Sequence, residues 1–322
     1  MPIRPLSRAQ MQRMRAEVLQ DATLLPLDEV DYKGLRNIMT LSAVGDEKIY
    51  CPYCQTVSNF DFPFYSRTYY HCPSCDLIFL RRKEDVKTVI AYYQNLYFDD
   101  HTEDQMSGHR TNIYRHVLDV LEGYKNPGSL LDLGCGCGFF LKEARNRGWD
   151  ITGIDPSEES ITYCDRLLGV AVANKGTLKD LSKEKVYDVI TMINVLDHST
   201  EPWSEIERAS ILLTPGGLVF LRFPNGIFHP ILYKISKIFK LENFIKKFLV
   251  FHEYSFTPKF IRRLLTDYGF SKIVIQNARF SGGTFSKRLF KKIVGIVVKS
   301  LYVISAGSFT VGPSLEVTAR KT

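Results

Sequence analysis

From Ser129 onward, apolar residues recur in two alternating rhythms. Seven short runs have the length and character of strands: Ser129–Leu133, Asp150–Asp155, Val170–Ala173, Tyr187–Ile193, Leu218–Phe223, Lys272–Gln276 and Leu315–Ala319. Between them, Phe139–Arg147, Glu158–Leu168, Pro202–Leu213 and Phe256–Tyr268 are compatible with helices. Thr214-Pro215-Gly216-Gly217 stops the third helix and Gly269 the fourth. The run Tyr187–Ile193 is nearly continuously apolar, as expected for a strand covered on both faces. Strands alternating with helices predict an α/β fold: a seven-stranded, mostly parallel, Rossmann-like sheet with helices on both faces. Upstream, Val86–Tyr93 and Ile113–Leu121 read as helices, and Asn126-Pro127-Gly128 breaks the chain before the first sheet strand.

This divides the 322 residues into three parts. Residues 1–46 form an extension, partly helical near Ala9–Gln20 or mobile. Residues 47–82 hold two cysteine pairs among aromatic and β-forming residues. Residues 83–322 form the α/β domain, with basic insertions near 226–252 and 282–312. No repeat or low-complexity tract appears, and no run of about 18 uncharged apolar residues exists to span a membrane. The start, Met1–Ala16, has four arginines and no acid and lacks the apolar core of a secretory signal; it is expected to be a mobile leader.

The chemistry begins at the first sheet strand. Leu130-Leu131-Asp132-Leu133 runs into Gly134-Cys135-Gly136-Cys137-Gly138, and the second strand ends in Asp155. Strand, Gly-rich turn, helix, strand and acid form a nucleoside-binding unit. The glycines admit the ligand to the backbone, and the acid accepts hydrogen bonds from ribose hydroxyls. A dinucleotide loop would place glycine at position 139, where this chain has Phe139.

The loop resembles motif I of the class I S-adenosylmethionine-dependent methyltransferases. Later segments resemble that family in order: Tyr187-Asp188-Val189-Ile190, then Asn194-Val195-Leu196-Asp197-His198 with Pro202, then Leu212 to Gly217, then His252-Glu253-Tyr254-Ser255-Phe256-Thr257 with Gly269-Phe270. The resemblance covers about Ser129 to Ala319 and implies roles at matching positions. Gly134, Gly136 and Gly138 would admit the cofactor, Asp132 would orient the loop or reach the cofactor's amino group, and Asp155 would take the ribose. Asp155 also stands where it could cap the following helix. The family's acid after strand three is missing from Asn174-Lys175-Gly176-Thr177-Leu178, so backbone groups near Thr177 and Leu178 would read adenine. Asn194 would lie beside the sulfonium.

Methyl transfer to oxygen needs a proton removed, and histidine is the usual base at neutral pH. His198 and His252 are the candidates, each also readable as a packing or capping residue. Some relatives carry Glu-x-x-Glu-His after strand four and hold a divalent metal there. This chain has Asn194, Asp197 and His198 instead, so no catalytic metal is assigned.

The pairs Cys51/Cys54 and Cys72/Cys75 follow the pattern C-x2-C-x17-C-x2-C, which has zinc-ribbon spacing. Four thiolates close a tetrahedral structural Zn2+ site with no open position. Such usage suits a reducing, cytoplasmic compartment rather than a disulfide framework. Cys135, Cys137 and Cys164 read as small residues. A ribbon ahead of a class I methyltransferase resembles a group of bacterial enzymes linked to glycan, sugar-nucleotide or lipid tailoring.

Net charge is +7, yet Gly226–Ser300 alone carries +12. A basic region favours an anionic partner. Ile231–Phe251 is apolar and basic, and Phe285–Tyr302 reads as a basic amphipathic helix that could lie on a membrane or cover the sheet. The leading expectation is methyl transfer to an oxygen of a small, glycan-related or lipid-linked acceptor, in the cytoplasm and in contact with the inner membrane surface. Alternatives are an rRNA or tRNA methyltransferase gripping phosphate through the ribbon and inserts, and a non-catalytic zinc-ribbon interaction protein.

Overall fold

The computed structural model describes residues 48–64, 67–81, 110–246, 249–279, 310 and 312–322. The extension 1–46 and the helices expected at Ala9–Gln20, Val86–Tyr93 and Phe285–Tyr302 lie outside the described residues, as does nearly all of the second basic insertion.

The first cysteine pair precedes β1 (Asn59–Phe64) and β2 (Arg67–His71), and the second precedes β3 (Ile78–Leu80). The α/β region then runs α1 (Thr111–Glu122), β4 (Ser129–Leu133), α2 (Phe139–Asn146), β5 (Asp150–Asp155), α3 (Glu158–Leu168), β6 (Ala173–Lys175), β7 (Tyr187–Ile193), α4 (Pro202–Leu212) and β8 (Leu213–Pro224). The first basic insertion forms α5 (Phe228–Ile238) and α6 (Glu242–Ile245). It is followed by β9 (Tyr254–Ser255), α7 (Pro258–Asp267), β10 (Phe270–Asn277) and β11 (Ser314–Lys321).

The main sheet has the order β10-β11-β8-β7-β4-β5-β6, with β11 antiparallel to both neighbours and the β8-to-β6 pairs parallel. The expected α/β fold is therefore present. Several boundaries shift by a few residues, three of them for a visible reason. The short strand lies at Ala173–Lys175 rather than at Val170–Ala173, because Asp165 Oδ1 accepts from the amides of Val172 and Ala173 and ties the preceding loop to α3. β8 starts at Leu213 because that residue already registers with Tyr187. α7 starts at Pro258 because Thr257 caps it, its hydroxyl accepting from Phe260 N at 3.1 Å.

Successive strand residues face opposite sides of the sheet. Leu130, Val189 and Phe220 face a core with Ile113, Val117, Phe140 and Leu141 of α1 and α2. Their neighbours Leu131, Ile190 and Leu221 face a second core with Ile206, Phe260 and Leu264 of α4 and α7. Each such fully buried side chain stabilises the fold by about 1.5–3 kcal/mol. Among the described residues no helix is long and apolar enough to cross a membrane.

A second sheet has the order β1-β2-β3-β9. Its last strand comes from the far side of the sequence: Ile78 pairs with Ser255 and Phe79 with Tyr254. Cys51, Cys72, Cys75, Leu77 and Phe79 belong to the same core cluster as the α4–α7 face of the main sheet. Tyr53 sits against Phe260 and Trp203 and donates to Asp267 Oδ2 at 2.5 Å. The cysteine region is thus joined to the α/β region by shared core and by β9, a strand that the later chain adds to the small sheet.

Candidate functional site

The Gly-rich loop leaves β4 and is pinned to the end of β5, where Ile154 O accepts from Gly134 N at 2.7 Å. Gly134 has φ of 69°, and a Cβ there would lie 2.4 Å from Val195 Cγ2. Gly138 has φ of 78°, and its Cβ would lie 2.4 Å from Cys164 Sγ. Only glycine fits at either place. Asp155 fixes the loop from below, since its Oδ2 accepts from Gly136 N and its Oδ1 from Ser157 N, both at 2.9 Å. The helix cap expected of Asp155 is made instead by Ser157, whose hydroxyl accepts from Ser160 N.

Above this loop opens a cavity of about 510 Å³, within the usual range for a cofactor pocket. Of the residues singled out in the sequence, Asp132, Gly134, Gly136, Asp155, Thr177, Asn194 and His198 line it. Gly138 lies behind the loop against Cys164, and Leu178 is buried in the core with its carbonyl accepting from Arg208 Nε. Thr177 is closed by Asp180, whose Oδ2 accepts from both its amide and its hydroxyl. Asn194 adopts a left-handed φ of 56°, stabilised by its amide donating to Arg222 O at 2.7 Å.

Buried carboxyls at the cavity can receive a cation, and Arg110 and Lys175 line it as well. Burial pushes Asp132 up to about 7, although the Thr191 hydroxyl donates to it at 2.6 Å. Burial also raises Asp155, against the two amides that lower it, and pushes Glu205 up to about 7. Three buried carboxyls around one cavity are relieved by a positively charged ligand. A ligand carrying a sulfonium, an ammonium and a ribose fits this donor set, the glycine cradle and the volume.

At the cavity's edge, a short turn after β7, Leu196–His198, brings three groups together with a distant segment. The rings of His198 and His252 have centroids 3.7 Å apart. Asp197 Oδ2 lies 3.8 Å from His198 Nε2 and 3.6 Å from His252 Nε2. Both Asp197 carboxylate oxygens are buried without a hydrogen-bond partner, and burial pushes the group up to about 7. The three side chains offer donor atoms within 4.8 Å of one another and could hold a metal ion.

The four cysteines also converge. Cys51 and Cys75 sulfurs lie 3.6 Å apart, and those of Cys54 and Cys72 lie 3.4 Å apart. Those distances are far too long for disulfides and close to the edge of a tetrahedron with Zn–S of about 2.3 Å. Both pairs fold alike. Cys51 N and Cys72 N donate to Thr56 O and Leu77 O, and Gln55 and Asp76 take left-handed φ values of 58° and 68°. Such repeated geometry suits a pair of metal-binding knuckles.

Sequence reasoning did not single out Asp180, Glu205, Arg110 or Tyr114 as cavity residues, or Asp197 as the hub of the histidine pair. The T-x-x-D spacing of Thr177 and Asp180 was the available signal for the first. Nothing local marks the rest.

A methyltransferase-domain family model matches residues 106–274. Among curated proteins, the chain is similar to a ubiquinone biosynthesis O-methyltransferase from Vibrio atlanticus, 27% identical over 56% of this chain and 79% of that protein. Another of that name from Bordetella avium is 33% identical over 34% of this chain, which spans only 47% of that relative's length. Among solved structures, magnesium protoporphyrin IX methyltransferase from Synechocystis PCC 6803 with bound S-adenosylhomocysteine has a TM-score of 0.48 at 19% identity, covering 74% of this chain and 100% of that one.

Proposed function

We propose a specific role for this chain, which belongs to the methyltransferase-domain family and is an S-adenosylmethionine-dependent methyltransferase: transfer to a hydroxyl oxygen of a small or lipid-linked acceptor. The carrying observation is the Asp197–His198–His252 cluster at the cavity edge near Asn194. When bound, S-adenosylmethionine supplies an electrophilic methyl group. Asp132 would take the cofactor's ammonium, Asp155 its ribose hydroxyls, and the loop at Gly134 and Gly136 its body. Thr177 and Asp180, which line the cavity, would stand on the adenine side, with Leu178 packed behind them. His198 or His252 would receive the acceptor's hydroxyl proton at a ring nitrogen, and the buried Asp197 carboxylate would stabilise the imidazolium so formed.

A second reading of the same cluster is favoured by one observation. Separations of 3.6 and 3.8 Å are too long for hydrogen bonds, and Asp197 has none. Two imidazoles and a carboxylate so spaced suit a divalent cation that would lower the acceptor hydroxyl's pKa. Manganese titration of zinc-loaded protein, followed by electron paramagnetic resonance, separates the readings. One ion bound, and lost in Asp197→Asn, supports the cation; no binding supports the base. The cysteine quartet is read as a structural zinc site, for which metal analysis should find about one zinc per chain.

The acceptor's lipid character is argued from α5. Ile231, Ile235, Ile238, Phe239 and Leu241 are 44–76% exposed, an unusual run of large apolar side chains in water. Lys237 and Lys240 lie among them, while Lys234 is paired with Asp61, so an anionic bilayer surface would satisfy both characters. The test is S-adenosylhomocysteine release with a dihydroxy-aromatic probe, with and without an isoprenoid tail, in anionic vesicles. Turnover of either probe supports oxygen transfer, and a preference for the tailed one supports the lipid reading. Turnover of total RNA alone would overturn both.

A further inference from the structure

We infer that the cysteine ribbon is the scaffold that positions His252 against Asp197, with Tyr69 as the positioning residue. The consequence for catalysis rests on the role given to His252 above; the geometry does not.

His252 lies between α6 and α7, with neither helix carrying it. The ribbon instead holds its stretch of backbone almost residue by residue. The buried Tyr69 hydroxyl donates to His252 O at 3.1 Å. Leu80 N donates to Glu253 O at 2.9 Å. Tyr254 and Ser255 form the β9 pairing with Phe79 and Ile78. Thr257 Oγ1 donates to Asp76 O at 3.1 Å while capping α7. Phe251, one residue before the histidine, is clasped by Phe62, Phe64 and Tyr69, with ring centroids 4.6–5.4 Å apart. Burial keeps the Tyr69 phenol protonated, pushed up to about 12, so it serves as a donor throughout the working pH range.

The anchors on β2, Asp76 and β3 flank the second cysteine pair. β2 ends at His71, next to Cys72; Asp76 follows Cys75; and β3 begins two residues later. The same residues are held by core shared with the α/β region, Leu77 and Phe79 in one cluster and Phe62, Phe64, Tyr69 and Ile78 in another. His198, by contrast, is held by the turn directly after β7 of the main sheet. The two imidazoles of the cluster therefore arrive on two scaffolds. The ribbon's contribution is the placement of one imidazole of the cluster, although none of its own residues lines the cavity.

The test uses full-length, zinc-loaded protein and the variant Tyr69→Phe, which removes one hydroxyl and keeps the ring. Long-range proton–nitrogen correlation spectra report the histidine side chains, with His252→Gln assigning the relevant signal. Tyr53→Phe is the control, because it loosens the ribbon at Asp267 and not at His252. The expected result is a displaced His252 signal in Tyr69→Phe, unchanged zinc content, S-adenosylmethionine affinity within about twofold of the parent, and no displacement in Tyr53→Phe. An unmoved His252 signal in Tyr69→Phe, or equal displacement in both variants, overturns the inference. The spectrum reads geometry and not turnover. If His252→Gln transfers methyl groups normally, the reading of His252 fails while the positioning inference stands on its own result.

Discussion

The cofactor half of the site and its acceptor half are built in opposite ways. The cofactor half is local: one β4–α2–β5 unit supplies the loop and Asp155, and that loop is tied by Gly136 to an acid 19 residues on. The acceptor half is assembled over long distances. His252 meets the turn after β7, and its carbonyl is held by Tyr69, 183 residues earlier. A strand–turn–strand unit can carry a cofactor wherever its glycines stand. An acceptor corner exists only once the whole chain has folded. The two halves should therefore respond to substitution independently.

The largest effect expected is on the acceptor half. His252→Gln and Asp197→Asn should each lower the turnover number about 10²–10⁴-fold while leaving calorimetric binding of S-adenosylmethionine unchanged. Parallel loss of cofactor binding would mean that the halves are one unit. The converse variant is Asp155→Ala. It removes the proposed ribose acceptor and the anchor of Gly136 and Ser157, and should weaken cofactor affinity about 100-fold, or about 2.7 kcal/mol. The His198–His252 contact should survive it, which the histidine signals would show.

That asymmetry also sets what the sequence reveals. Six of the seven main-sheet strands fall on their expected spans to within a few residues, because burial on both faces writes itself as continuous apolar runs such as Leu130-Leu131 and Phe220-Leu221. The loop is legible because Gly134 and Gly138 have no substitutes at positive φ against Val195 and Cys164. The adenine side is less so: Leu178 is buried in the core rather than in the cavity wall, and Asp180 enters from a capping box. The two-residue strand Tyr254–Ser255 has no periodicity to detect, yet it ties the late chain to the ribbon's sheet. Asp197 is unremarkable until its carboxylate is found dry between two imidazoles.

A smaller effect probes the join. Tyr53→Phe deletes the hydroxyl that donates to Asp267 but keeps the ring on Phe260 and Trp203. Urea unfolding should show a loss of about 0.5–1.5 kcal/mol, with no change in cofactor affinity. A larger loss would mean that the ribbon contributes to the cofactor half as well.

The smallest effect is a proton. Asp132 is pushed up to about 7 by burial, whereas the same carboxyl ionises near 3.8 when unfolded. Between those values the folded chain keeps a proton that the unfolded chain has released. The free protein therefore loses stability as pH rises from about 3.8 to about 7 and levels off above, where the folded state holds a buried charge. An ammonium brought beside Asp132 reverses that preference and restores the carboxylate. Cofactor binding near pH 6 should accordingly release up to about one proton, and affinity should tighten as pH rises from 5.5 toward 7. Calorimetry in two buffers of different ionisation enthalpy measures the release directly. Asp132→Asn should abolish it, while His252→Gln, in the other half, should leave it intact. A release that persists in Asp132→Asn would shift the cation-binding role to Asp155 or Glu205, the other buried carboxyls of the same cavity.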